Sequence, residues 1–337
     1  APTGNTELWN GTNWTVVNNL NTARQNGAAA GTDNTSALAF GGQSPTFALT
    51  ETWNGTNWTG TANLNTGRRG LAGAGTNTAA LAFGGNPGFK ASTEEFNTGV
   101  VGGSWATGGS LNTARFWLGS AGTQTSALAF GGNPPRLAIT EAYNGTNWTE
   151  VNDLNTARRQ LKGAGATNTA ALAFGGESPG VENEAITETW NGTNWTEVNN
   201  LNTGRYNMGS AGATNTAALA FGGAGDPSLA VTETWNGTNW TEVNDLNTAR
   251  FALGGAGTNT AALGFGGSAP PAGALTESWN GTNWTAVGDL GTSRYGLGGN
   301  GTQTAALAFG GRLPAPAASA LTEEWNDGPQ VKTIGTS

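Results

Sequence analysis

Apolar and polar side chains alternate along this chain in short runs. In the run 168–174, Ala170, Leu172 and Phe174 fall on one side of an extended strand, and Thr169, Ala171 and Ala173 on the other. One face is therefore bulky and the other small. Gly175-Gly176 closes the run as a turn signal. Three more extended runs are predicted around it: from Arg158 to about Ala166, from Ile186 to Trp190, and from Trp195 to Val198. Asn191-Gly192, between the last two, predicts a type I′ hairpin, because both residues tolerate positive φ.

This four-strand unit recurs. Its anchor, Thr-Glu-x-aromatic-Asn, starts at Thr6, Thr50, Thr93, Thr140, Thr187, Thr232, Thr276 and Thr322, at intervals of 43 to 47 residues. A period in that range marks a repeat architecture. Sheets with one large and one small face stack bulk against hollow, and repeating that contact in a circle builds a propeller. Trp190 and Trp195 add large buried areas to each interface. The expectation is an all-β, seven-bladed propeller with four antiparallel strands per blade, in which residues 1–337 form a single domain.

The wording resembles the Kelch repeat family, whose propeller scaffold also occurs in galactose oxidase. The matching signs are a Gly-Gly doublet after an apolar strand, an aromatic residue in the next strand and a Trp in the outermost one. The doublets begin at Gly41, Gly84, Gly131, Gly175, Gly222, Gly266 and Gly310. The outer tryptophans are Trp14, Trp58, Trp105, Trp148, Trp195, Trp240 and Trp284. More narrowly, the Asn/Thr/Gly-rich phrasing is similar to Kelch-like proteins of marine bacteriophages. The oxidase's copper chemistry does not carry over: this chain has no His or Cys, and its tyrosines are Tyr143, Tyr206 and Tyr295.

Composition narrows the functional classes. Only 11% of residues are charged, and Gly supplies 56 of the 337. The net charge is -8 with no basic run, so the stripe that nucleic acid or an anionic membrane would require is missing. No stretch has the roughly 20 apolar residues that span a bilayer, and the first residues do not read as a signal peptide. Without His and Cys there is no His- or Cys-ligated zinc, no Ser-His-Asp triad and no thiol nucleophile. No metal or cofactor is expected. The Asn-Gly-Thr and Asn-Trp-Thr triplets match glycosylation sequons but read better as turn chemistry.

One Arg and one Glu recur in the units. The arginines are Arg24, Arg68, Arg115, Arg158, Arg205, Arg250 and Arg294; the glutamates that answer them are Glu51, Glu94, Glu141, Glu188, Glu233 and Glu277. Glu188 shares a strand face with Trp190, so its carboxylate is expected to be partly buried and to need a partner. Structural ion pairs are the favoured reading, and a ring of arginines binding an axial anion is the competing one.

Specific function is expected where copies differ. The loops after the doublets vary, and so does the residue after each recurrent Arg: Gln25, Arg69, Phe116, Arg159, Tyr206, Phe251 and Tyr295. In a Kelch blade these lie at the axial mouth, where aromatics and arginines could stack on sugars or hold a partner. The function expected is non-catalytic: a phage virion surface or attachment component, virion-borne or extracellular, that binds a host glycan or another virion protein. The alternatives are a multivalent lectin, a glycoside-active enzyme and a designed consensus-repeat scaffold. Finally, the Thr-Glu-x-aromatic strand occurs eight times and the Arg strand seven. One terminal strand pair is therefore surplus and available for self-association.

Overall fold

The size alternation decides how the sheets stack. In this computed structural model, residues 6–9, 14–33, 35–43, 46–98, 104–225, 227–268, 273–291, 293–309 and 322–326 are described. The unit read above consists of strands Lys162–Thr167, Ala170–Phe174, Thr187–Trp190 and Trp195–Glu197, paired in that order and antiparallel throughout. Its small face, Ala171 and Ala173, receives Leu128 and Phe130 from the unit before. Its bulky face, Leu172 and Phe174, packs on Ala218 and Ala220 of the unit after. Large against small thus recurs around the molecule and keeps each interface filled.

Aromatic rings extend the same interface outward. Phe130 meets Trp195 of the next unit at 5.1 Å between ring centroids, and Trp195 Nε1 donates to Thr140 Oγ1 at 2.9 Å across the same boundary. Phe83 with Trp148, Phe174 with Trp240 and Phe221 with Trp284 repeat it at 4.9 to 5.0 Å. Each such Trp buries its rings and still satisfies its one polar atom.

Six blades have the expected four strands, spanning 28–60, 72–108, 119–151, 162–197, 209–243 and 254–286. Their first strands pack side by side around an axis. The expected count of seven such blades is corrected to six. The remaining strands make one five-stranded sheet in the order Thr6–Trp9, Trp14–Val17, Thr322–Asn326, Ala305–Phe309, Gly298–Gly301. Gly298–Gly301 packs between the first strands of the sixth and first blades. The cause is the surplus strand. Thr6–Trp9 and Thr322–Asn326 carry the same Thr-Glu-x-Trp word and lie parallel in matched register, Glu7 opposite Glu323 and Trp9 opposite Trp325. Both also reach the Ala305–Phe309 strand, through Leu8 opposite Leu307 and Leu307 opposite Glu324.

Two local expectations are also corrected. The link between Trp190 and Trp195 is a four-residue loop closed by Asn191 N donating to Asn194 O at 3.3 Å. Within it Gly192 alone has positive φ, at 93°, and Asn191 Oδ1 accepts the Thr193 and Asn194 amides at 2.9 Å. The Asn side chain thus makes an Asx turn in place of a type I′ turn. Second, the continuous first strand begins at Lys162: Arg159 forms only an isolated antiparallel bridge to Glu177, and residues 160–161 cross from that bridge to the strand. The Gly-Gly doublet serves that crossing. Gly175 and Gly176 have φ of 65° and 107°, and Gly176 N donates to Arg205 O of the next unit at 3.0 Å. A Cβ on Gly175 would lie 2.6 Å from that carbonyl, so only glycine lets the neighbouring segment this close.

Candidate functional site

The recurrent Arg and Glu lie inside the blades. Arg158 Nη2 contacts Glu188 Oε1 at 2.7 Å with both side chains fully buried, and Arg158 Nη1 donates to the carbonyls of Gly175 and Ile186 at 3.0 and 2.7 Å. The other carboxylate oxygen accepts from Asn155 N and Nδ2 at 2.6 and 2.8 Å. Each pair therefore ties the segment entering a blade to that blade's third strand. Arg68–Glu94, Arg115–Glu141, Arg205–Glu233 and Arg250–Glu277 are alike at 2.8 Å, and Arg24 also meets Glu51. Arg294 is equally buried and donates to Ala308 O at 3.2 Å. Desolvation pushes the guanidinium groups of Arg24, Arg68, Arg115, Arg158, Arg205 and Arg250 below their ordinary pKa, that of Arg68 to about 10, with the partner glutamates opposing the shift. Buried and engaged, they present no charge to a ligand on the axis.

The residues after those arginines stand at one end of the axis. Each pairs with the residue that follows the Gly-Gly doublet after the second strand of its own unit: Gln25 with Gln43, Arg69 with Asn86, Phe116 with Asn133, Arg159 with Glu177, Tyr206 with Ala224 and Phe251 with Ser268. Tyr295 occupies the equivalent place, and its counterpart after Gly310-Gly311 lies outside the described residues. The next residue in each unit is left-handed: Asn26, Gly70, Trp117, Gln160, Asn207, Ala252 and Gly296 have φ between 49° and 61°. Backbone hydrogen bonds join these positions from unit to unit. Gly70 N donates to Asn26 O, Gln160 N to Trp117 O, Ala252 N to Asn207 O and Gly296 N to Ala252 O, at 2.8 to 3.0 Å. They form a collar of main chain around the mouth.

On this collar the second to fourth blades differ from the rest. Trp117 is 45% exposed in spite of its left-handed backbone. Its ring lies beside Gly70, is flanked by Phe116 at 4.7 Å between centroids, and is capped by the Arg159 guanidinium at 5.4 Å. Phe89, itself 47% exposed and with φ of 42°, stacks on Phe116 at 5.8 Å and an interplanar angle of 10°. Arg159 is steered by Glu177, which also binds Arg136 at 2.9 Å and Gln160 Nε2 at 2.6 Å. Tyr206 continues the patch; burial raises its phenol pKa, the Glu177 and Glu182 charges add to the rise, and Arg159 opposes it. A cavity of about 390 Å³ opens beside Trp117, lined by Asn26, Gln43, Arg69, Gly70, Asn86 and Phe116.

Of the seven expected mouth residues, Arg69 and Phe116 line this cavity, and Arg159 and Tyr206 flank it. Gln25 supports Gln43 from behind, and Phe251 and Tyr295 lie on the remaining arc of the collar. The residue missed in the sequence is Trp117. Its signal was readable one position further on: a site that is Asn or Gly in four of the other units carries Trp here. Among the described residues no three His, Cys, Asp or Glu side chains gather as a metal set, and no helix is long and apolar enough to cross a membrane.

The arrangement defines a β-propeller with an asymmetric axial mouth. No protein-family model matches the chain, and no curated protein does. Among solved structures it is similar to YjhT, with a TM-score of 0.60 at 12% identity, over 79% of this chain and 98% of that one. At that identity the likeness establishes the propeller fold and nothing more specific.

Proposed function

We propose that the chain is a Kelch-type binding propeller, without catalysis, whose axial mouth takes up a carbohydrate. The observation that carries this is Trp117. A non-glycine residue in the left-handed region costs on the order of 1 kcal/mol, and an exposed ring recovers little of that by packing. Asn26, Gln160, Asn207 and Ala252 take the same backbone, so the collar itself imposes it; what is particular to Trp117 is a large ring, 45% exposed, at a place where the other units carry small or polar residues. An aromatic surface beside Asn26, Gln43, Arg69 and Asn86 suits a sugar, which offers an apolar C–H face to a ring and hydroxyls to amides and a guanidinium. An enzymatic reading has less support. Glu177, the carboxylate of the patch, is engaged by Arg159, Arg136 and Gln160 and has no free oxygen to give an acid–base step.

The biological setting we propose is attachment at a virion surface, which rests on the phage-like wording of the repeats; detection of the chain in purified virions tests it. The binding reading is tested with Trp117→Gly. Gly70 and Gly296 hold the same place in other units, so this variant is expected to keep or raise thermal stability. It should lose at least tenfold in affinity for glycans retained by the native protein on an array. An array with no retained glycan, or undiminished binding by the variant, overturns the proposal.

A further inference from the structure

The collar holds two arginines at the same structural place and answers their charges differently. Arg159, in the fourth unit, bridges to Glu177, and the Glu177 carboxylate also takes its guanidinium at 2.7 Å. Arg69, in the second unit, makes the equivalent bridge to Asn86: Arg69 N donates to Asn86 O at 2.8 Å, and Asn86 N to Arg69 O at 2.9 Å. A place that carries a carboxylate opposite one guanidinium carries a neutral amide opposite the other. Arg69 Nη1 donates to Gln43 Oε1, a second neutral partner, and among the described residues Arg69 forms no ion pair.

Arg69 also stands where a ligand would meet it. It lines the cavity of about 390 Å³ beside Trp117, together with the Asn26, Gln43 and Asn86 amides and the Phe116 ring, and no acidic residue lines that cavity. The surroundings favour an anion. Outside the recurrent arginines, the basic residues among the described ones are Arg69, Lys90, Arg136, Arg159 and Lys162, all at the mouth end of the second to fourth blades. The loops after the doublets of those blades hold three carboxylates against these five cations: Glu177, Glu182 and Glu184. This arc of the mouth is therefore positive in a chain of net charge -8.

We propose that the saccharide held at the mouth is acidic, and that Arg69 selects it by binding a singly charged oxyanion on the sugar, a carboxylate or a sulfate ester. The inference rests on the saccharide reading of the same site and names its chemistry. A sugar ring laid on Trp117 displaces water from around Arg69. A neutral sugar then leaves the guanidinium desolvated and without counter-charge, which costs binding energy. An oxyanion instead accepts parallel N–H bonds from the guanidinium fork, and such charge-assisted pairs are stronger than neutral ones. The amides of the lining serve the sugar hydroxyls. A phosphate monoester fits less well, because its second charge finds no second cation in the lining.

The test probes the intact chain with glycans in matched sets: carboxylated members beside their carboxyl-reduced forms, and sulfated members beside their desulfated forms. Retained glycans are expected to be acidic and to lose retention when the acid group is removed. Loss on carboxyl reduction identifies a carboxylate, and loss on desulfation a sulfate ester. Calorimetry with a retained glycan should show affinity falling as salt is added. Arg69→Gln copies Gln25, the residue at the equivalent place of the first unit, so this variant is expected to keep the native melting temperature. It should bind the acidic glycan roughly tenfold or more weakly, close to the native affinity for the neutral form. Asn86→Glu supplies the counter-charge that Arg159 has, and should weaken the acidic glycan in the same way with Arg69 still in place. Trp117→Gly should weaken acidic and neutral forms alike. Retention of neutral glycans with no preference for acidic ones overturns the inference and leaves the saccharide reading standing, and so does undiminished binding of the acidic glycan by Arg69→Gln. An array with no retained glycan overturns the saccharide reading and this inference with it.

Discussion

At the scale of single residues, the buried Arg–Glu pairs and the lone Lys162 make opposite predictions. Arg158 and Glu188 have exchanged water for each other and for fixed carbonyl and amide partners. Removing one charge strands the other, at about 3–5 kcal/mol. Glu188→Gln is expected to lower the urea midpoint accordingly, and so is Arg158→Met. The double variant should lose clearly less than the sum of the two, because no uncompensated charge remains. Additive losses would show that the two do not act as a pair. Lys162, which opens the first strand of the fourth blade, has no ion-pair partner among the described residues. Its pKa is lower in the folded chain than in the unfolded one, so its charge penalises the fold fully below its folded pKa. Stability then rises with pH between that value and the ordinary lysine value, because the unfolded chain binds the extra proton. Lys162→Ala should therefore melt above the native protein at neutral pH, with the gap narrowing towards pH ~10.5. A gap that does not change with pH would point to packing alone.

At the scale of strands, the interface between blades divides its energy between packing and one hydrogen bond. Phe130→Ala removes a fully buried ring that fills the hollow over Ala171 and Ala173 and should cost about 3–5 kcal/mol. Trp195→Phe keeps most of the ring but deletes the Nε1 bond to Thr140, at about 1 kcal/mol. Chemical denaturation of both variants checks the order; a costlier Trp195→Phe would reverse the assignment of what holds blades together. This layer was the most legible in the sequence. Alternation of Leu172 and Phe174 with Ala171 and Ala173 fixes which face meets which neighbour, whatever the loops do. The turn was less legible, because Asn191 tolerates positive φ yet stays out of it: its side chain satisfies the two amides that a tighter turn would leave open. The site was legible in part. Arg69, Phe116 and Arg159 stood out as variable residues at a fixed position. The hydrogen-bonded collar that turns Trp117 outward depends on carbonyls of adjacent units, and no local pattern encodes that contact.

At the scale of the whole molecule, the open question is the place beside Ala305–Phe309. Thr6–Trp9 and Thr322–Asn326 carry nearly the same word, lie in matched register, and both reach that strand. Two near-identical segments with one edge to cover make the chain redundant there. Deleting residues 1–17 leaves the C-terminal strand to cover the edge, and deleting 322–337 leaves the N-terminal hairpin to do so. Each deletion alone should lower the melting temperature by only a few degrees. Deleting both exposes the edge of Ala305–Phe309 and the apolar face beside it, so the loss should far exceed the sum of the two and bring aggregation with it. The spare segment also gives self-association a physical basis, since a strand displaced from one copy matches the same edge in another. A concentration-dependent dimer of the full chain is then expected in light scattering, and both single deletions should abolish it. Unfolding on one single deletion while the other is harmless would instead assign the edge to one terminus and end the redundancy argument.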